Sequence, residues 1–141
     1  MGVLDSLFGP KYATLPDDNP AALHLVEAGE PLESFVAKSN DKTEIIVGDG
    51  PPYIFVGKPP KAFGVVWFED GERQDVRSLV EKGILTIQSA GQLARDFGTI
   101  YAAGSADERF VYRFAERMVT VTPSAELHSE LQQAVERART A

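Results

Sequence analysis

The 141-residue chain contains no cysteine, which excludes disulfides, thiolate metal sites and a cysteine nucleophile. No apolar run approaches the ~18 residues of a membrane span, so integral insertion is not expected. The amino terminus lacks the basic and long apolar regions of a secretory signal, and a cytoplasmic location is the expectation. Positive charge is also scarce: 14 Lys and Arg against 21 Asp and Glu leave a formal net charge of −7. Repulsion between such a chain and phosphate disfavours nucleic acid as a partner.

The chemistry-bearing patterns are equally sparse. His24 and His128 both fall in expected helices. Neither has the further ligands of a metal centre or the oriented nucleophile of a proton-transfer site, so packing or surface roles are expected for both. Gly48-Asp49-Gly50 and Gly57-Lys58 could let backbone amides approach an anion. Each runs into prolines and an apolar strand, however, and lacks the helix amino terminus of phosphate-binding motifs. Glu69, Asp70, Glu72 and Asp75 lack calcium-loop spacing and read as turn and cap residues. Arg109, Arg113 and Arg117 recur every fourth residue and read as solvated or internally paired charge. No cofactor and no metal are expected, and no residue has the context of a catalytic group.

What is present suits one core: 43% of the residues are hydrophobic. Residues 1–18 are expected to form an amphipathic turn and connector, and 19–141 a single globular α+β domain. In the first part Val3, Leu4, Leu7 and Phe8 precede the stop at Gly9-Pro10 and read as a docking or self-association surface. Met1-Gly2 with Ser6 also fits the loose myristoylation pattern, for which amphipathic packing is the plainer explanation.

Asn19 can cap a helix over 19–28 that starts at Pro20, carries Ala22, Leu23 and Val26 on one face, and ends at Gly29 and Pro31. The stretches 32–38 and 43–47 then read as strands around a polar turn. From Gly48 to Gly71 a Gly-containing approach to a Pro-Pro pair occurs twice, each time leading to an apolar run, 53–56 and 63–68. The result is an antiparallel four-strand meander over about 32–69, with near-continuous apolar strands buried on both faces and prolines confined to connections.

Asp70-Gly71 signals a tight turn, after which 72–74 can pair back briefly. Asp75 caps a short helix that Gly83 ends, and a second central helix starts near Ser89, with Ala90, Leu93, Ala94 and Phe97 at helical spacing. The segment 99–122 carries two patterns. A capping box at 105–108 would open a helix bearing Phe110, Val111, Phe114, Ala115 and Met118; alternatively, 99–101, 110–112 and 119–122 are strand-like around a polar turn at 105–108. Their β-branched and aromatic content favours a second hairpin over about 99–122. A C-terminal helix closes the chain, capped by Thr122 with Pro123 first, and apolar at Leu127, Leu131, Ala134, Val135 and Ala138. Glu126 at its start and Arg137 and Arg139 at its end complement the helix dipole.

These features point to a cytosolic, non-catalytic protein-binding or regulatory module, with itself or another protein as partner. Self-association would use an exposed sheet edge or the N-terminal apolar turn, and a strict monomer in light scattering would count against it. A small-ligand protein or enzyme is the alternative, with a pocket beside the Pro-Pro loops lined by Asp49, Tyr53, Lys58 and Glu69; a ligand screen without thermal shift would count against that. A third reading is peripheral membrane attachment through Val3, Leu4, Leu7 and Phe8, which absence of liposome cosedimentation would refute.

Overall fold

The computed structural model describes residues 12–59, 61–104 and 108–141. After β1 (Ala13–Thr14) come α1 (Pro20–Glu27) and α2 (Gly29–Lys38), then four strands: β2 (Thr43–Val47), β3 (Tyr53–Lys58), β4 (Ala62–Glu69) and β5 (Glu72–Gln74). Helices α3 (Val76–Glu81) and α4 (Ile87–Ala103) lead to β6 (Phe110–Phe114), β7 (Arg117–Pro123) and α5 (Ala125–Thr140). The strands form one seven-stranded sheet in the order β1-β6-β7-β2-β3-β4-β5. Pairing is antiparallel from β2 to β5 and between β6 and β7, but parallel where β2 meets β7 and β1 meets β6. The protein is α+β with a mixed sheet.

Two strand assignments are corrected. Residues 32–38 belong to a helix, so the antiparallel four-strand meander does not begin there. Pro31 falls in the first turn of α2, where a missing N–H costs nothing, and Leu32 and Val36 bury together four residues apart. The second hairpin is also displaced from 99–122. Residues 99–101 extend α4, because Ile100 and Tyr101 continue the face begun by Leu93 and Phe97. The hairpin joins β6 to β7 through Ala115 and Glu116, both at positive φ (52° and 63°). Of the expected polar turn at 105–108, residues 105–107 lie outside the described residues, as do Val3, Leu4, Leu7 and Phe8.

Most other local signals act as their chemistry requires, with exceptions on α1 and at the start of α5. Asn19 accepts from the Ala21 amide at 2.9 Å with Pro20 opening α1, and Gly29 turns the chain at φ 76°. On α1 the buried residues are Ala21, Ala22 and Leu25; Leu23 and Val26, expected to share the face of Ala22, are 52% and 66% exposed. Asp75 with Ser78 and Thr86 with Ser89 form reciprocal caps on α3 and α4. Ser124, not Thr122, caps α5, because β7 runs on in register with β2 as far as Pro123 opposite Val47.

The sheet separates two apolar layers. Ile46, Phe55, Val65 and Trp67 face α3, α4 and α5, while Ile45, Val47, Ile54 and Val121 face α1 and α2. Burial on both sides explains the unbroken apolar runs of β2 and β3. Among the described residues no helix is long and apolar enough to cross a membrane.

Candidate binding groove

β4 is paired unequally along its two edges. On one side β3 pairs with residues 62–66; on the other, β5 reaches only Trp67, Phe68 and Glu69. Among the described residues no strand lies beyond Ala62–Val66, so every second residue there turns its N–H and C=O toward open space. The cause is local: the Asp70-Gly71 turn (φ 54° and 79°) sends β5 back for three residues before Asp75 converts it to helix.

Helices rise on both sides of this free edge. Phe68 meets Phe35 of α2 edge-on at 6.3 Å on one face; on the other, Trp67 meets Phe97 of α4 at 6.0 Å and Phe55 meets Tyr101 at 5.2 Å. The α4 contacts step from residue 97 to 101 as the sheet positions step back toward Phe63, which stacks on Phe55 at 5.6 Å. α4 therefore runs antiparallel to β4. Between the walls lies an open groove of about 1750 Å³, bounded by Pro31 and Phe35 on α2 and by Ala94, Gly98 and Ala102 on α4. Small residues every fourth position keep the α4 wall low and close to the strand. Arg73 closes one end, its guanidinium 5.1 Å over the Phe35 ring.

The groove is basic within an acidic chain. Its charged lining is Lys38, Lys61, Arg73, Arg77 and Arg95 against Glu30, Asp41 and Asp75. Arg73 is paired with Asp75 at 3.4 Å and Arg77 with Glu81 at 3.6 Å. Among the described residues Lys38, Lys61 and Arg95 have no ion-pair partner.

The four residues expected to line a pocket do not converge. Tyr53 and Lys58 occupy opposite ends of β3, roughly 17 Å apart at strand spacing. Asp49 and Lys58 are exposed in or beside connections. Only Tyr53 and Glu69 share a space, a polar recess of about 80 Å³ that they line with Pro51, Trp67 and His128. Glu69 is occupied: both its carboxylate oxygens accept from Arg139 (2.7 and 2.9 Å), and one also from the Trp67 indole at 3.2 Å. Burial, helped by the nearby Glu69 charge, pushes the Tyr53 phenol up to about 12. Among the described residues no group of His, Cys, Asp and Glu could hold a metal ion.

A second polar cluster was not foreseen from the sequence. Glu44 of β2 accepts from Tyr101 (2.7 Å), Thr122 (2.9 Å) and Arg109 (3.1 Å), and the Arg109–Glu44 side chains are only 11% and 12% exposed. Desolvation and the Glu44 carboxylate push the Tyr101 phenol up to about 12. The cluster ties α4, β2, β7 and the approach to β6 together. Neither the groove nor the recess includes it.

No protein-family model, no curated protein and no solved structure matches this chain.

Proposed function

We propose that this chain is a non-catalytic protein-binding module that takes up an extended segment of another polypeptide and adds it as a strand to β4. The observation that carries this reading is the five-residue free edge, 62–66, lying between two helical walls. Main-chain hydrogen bonds along that edge supply affinity, and the alternating side chains of the added strand contact the α2 wall and the α4 wall in turn. Each such bond contributes about 0.5–1.5 kcal/mol net. Ordering the segment costs about 2–5 kcal/mol, so the main-chain bonds alone roughly balance that cost and the side chains packed against the two walls supply the net affinity.

The walls also determine how self-association through this edge could occur. An edge strand covered by helices on both faces, each about 10–12 Å across, would set those helices against α2 and α4. A second copy reaches β4 only with a free extended segment. The same walls shield β4 from the edge-to-edge aggregation to which open strands are prone.

Groove filling tests the reading. Ala94 and Ala102 are exposed on α4, so Ala94→Trp and Ala102→Trp fill the groove without entering the core. Peptides selected from a random display library on the wild-type chain are expected to lose binding to both variants. A library that yields no binders, or binders indifferent to both tryptophans, would reject strand addition.

A further inference from the structure

Building on the strand-addition reading, we infer that the groove takes an acidic-flanked, continuously apolar segment of a partner protein. An added strand sends successive side chains to opposite faces of the sheet. One set meets Phe35, Phe68 and Val66, and the other meets Phe63, Phe97 and Ala94. Both surfaces are chiefly apolar, with Ser34 on one wall and Thr99 on the other, so a segment alternating apolar and polar residues would set most of its polar side chains against apolar groups. The complementary sequence is therefore apolar at consecutive positions, as β2 and β3 are.

The charges give the flanks. β2 starts just after Asp41, and Thr43 stands opposite Val56, which itself stands opposite Gly64. Lys38 and Lys61 thus gather at the Ala62 end of the free edge. Arg73, Arg77 and Arg95 gather at the other end, near Phe68. Cations outnumber anions around the groove although the whole chain carries −7. Acidic residues on both sides of the apolar core of a bound segment meet this rim. The N-terminal stretch Val3-Leu4-Asp5-Ser6-Leu7-Phe8 breaks its apolar run with two polar residues and so fits less well.

Three labelled synthetic peptides test the assignment by fluorescence anisotropy on the full chain. One has about five consecutive Val and Ile residues between Asp-Glu pairs, matching the open length of β4. The second replaces the acidic flanks by lysines, and the third replaces alternate apolar residues by serine. The acidic-flanked peptide is expected to bind about three- to tenfold more tightly than the lysine-flanked one, as for a pair or two of exposed ions. The serine peptide is expected to bind weakest. Lys38 and Lys61 are exposed, and Lys38→Glu with Lys61→Glu should remove or reverse the flank preference without unfolding the chain.

Equal binding of both flank types, or undiminished binding of the serine peptide, overturns the inference while strand addition stands. If no designed peptide binds although library-selected ones do, the inference also falls; if the library too yields nothing, strand addition falls with it. A dimer in light scattering that the acidic-flanked peptide dissociates would assign the groove to a second copy and overturn the inference.

Discussion

Gly48 lies so close to His128 that a β-carbon on residue 48 would collide with the histidine Cβ. The contact couples the first Gly-Pro-Pro approach to α5. His128, 3% exposed, donates from Nε2 to the Pro51 carbonyl at 2.8 Å, and its ring meets Tyr53 at 5.2 Å. Gly48 is thus required for close approach, and the loop that resembles an anion cradle instead wraps a buried histidine.

Gly48→Ala should therefore lower stability by about 1–3 kcal/mol, the usual range for overpacking a fitted site. Gly50→Ala is the control, because its added carbon would stand 3.3 Å from the histidine Cε1, a gap that a small shift relieves. Urea melts of the two variants check the contrast.

Glu44 receives three side-chain donors in a nearly closed site. Glu44→Ala should cost about 3 kcal/mol, since it removes the carboxylate that Arg109 and Tyr101 both address. Thr122→Val removes one neutral donor and should cost about 1 kcal/mol. Thermal or urea unfolding of both variants measures the difference.

Tyr53 and Tyr101 ionise at about 12 in the folded chain, against about 10 when unfolded. The folded state therefore holds phenolic protons that the unfolded state has released between these values. Stability from this source is constant below pH ~10 and falls between pH ~10 and ~12. Alkaline titration of phenolate absorbance should show Tyr53 and Tyr101 ionising late, with Tyr112 also held above the ordinary value by burial and the neighbouring Asp17 carboxylate. Glu44→Gln should shift Tyr101 downward and leave Tyr53 in place.

The β6–β7 turn places Ala115 and Glu116 in the left-handed region. Glu116→Gly should stabilise the chain by about 0.5–1 kcal/mol, because glycine accepts that conformation without steric cost. An unchanged or lower melting temperature would mean that the side chain contributes more than the strain removes.

Much of the fold was legible where a residue acts on its own backbone. Asn19-Pro20, Asp70-Gly71, Asp75 and Gly83 each mark the boundary they were expected to mark. Legibility failed where tertiary packing decides. The residues 32–38 carry strand-like composition, but Leu32 and Val36 find their partners only as a helix over the sheet. The Ala115-Glu116 turn contains no glycine or asparagine, so it left no signal, and the two-residue β1 is too short to leave one.

The site was less legible than the fold. The groove arises from a strand that β5 pairs only in part and from two helices on opposite faces of the sheet; no local motif encodes that arrangement. Asp49, Tyr53 and Lys58 lie beside the Pro-Pro pairs in sequence and Glu69 ends the apolar run that follows them, whereas strand direction sends Tyr53 and Lys58 apart. Glu44 stood unnoticed among apolar neighbours, because its partners come from residues 101, 109 and 122.

The central claim is that a polypeptide segment pairs with β4 through its main chain. Hydrogen exchange of the backbone amides in 62–66, measured by nuclear magnetic resonance with and without the acidic-flanked peptide, tests it most directly. The account predicts slowed exchange at alternate residues of that stretch, those whose amides point away from β3. Saturating peptide that leaves all five exchange rates unchanged would contradict it.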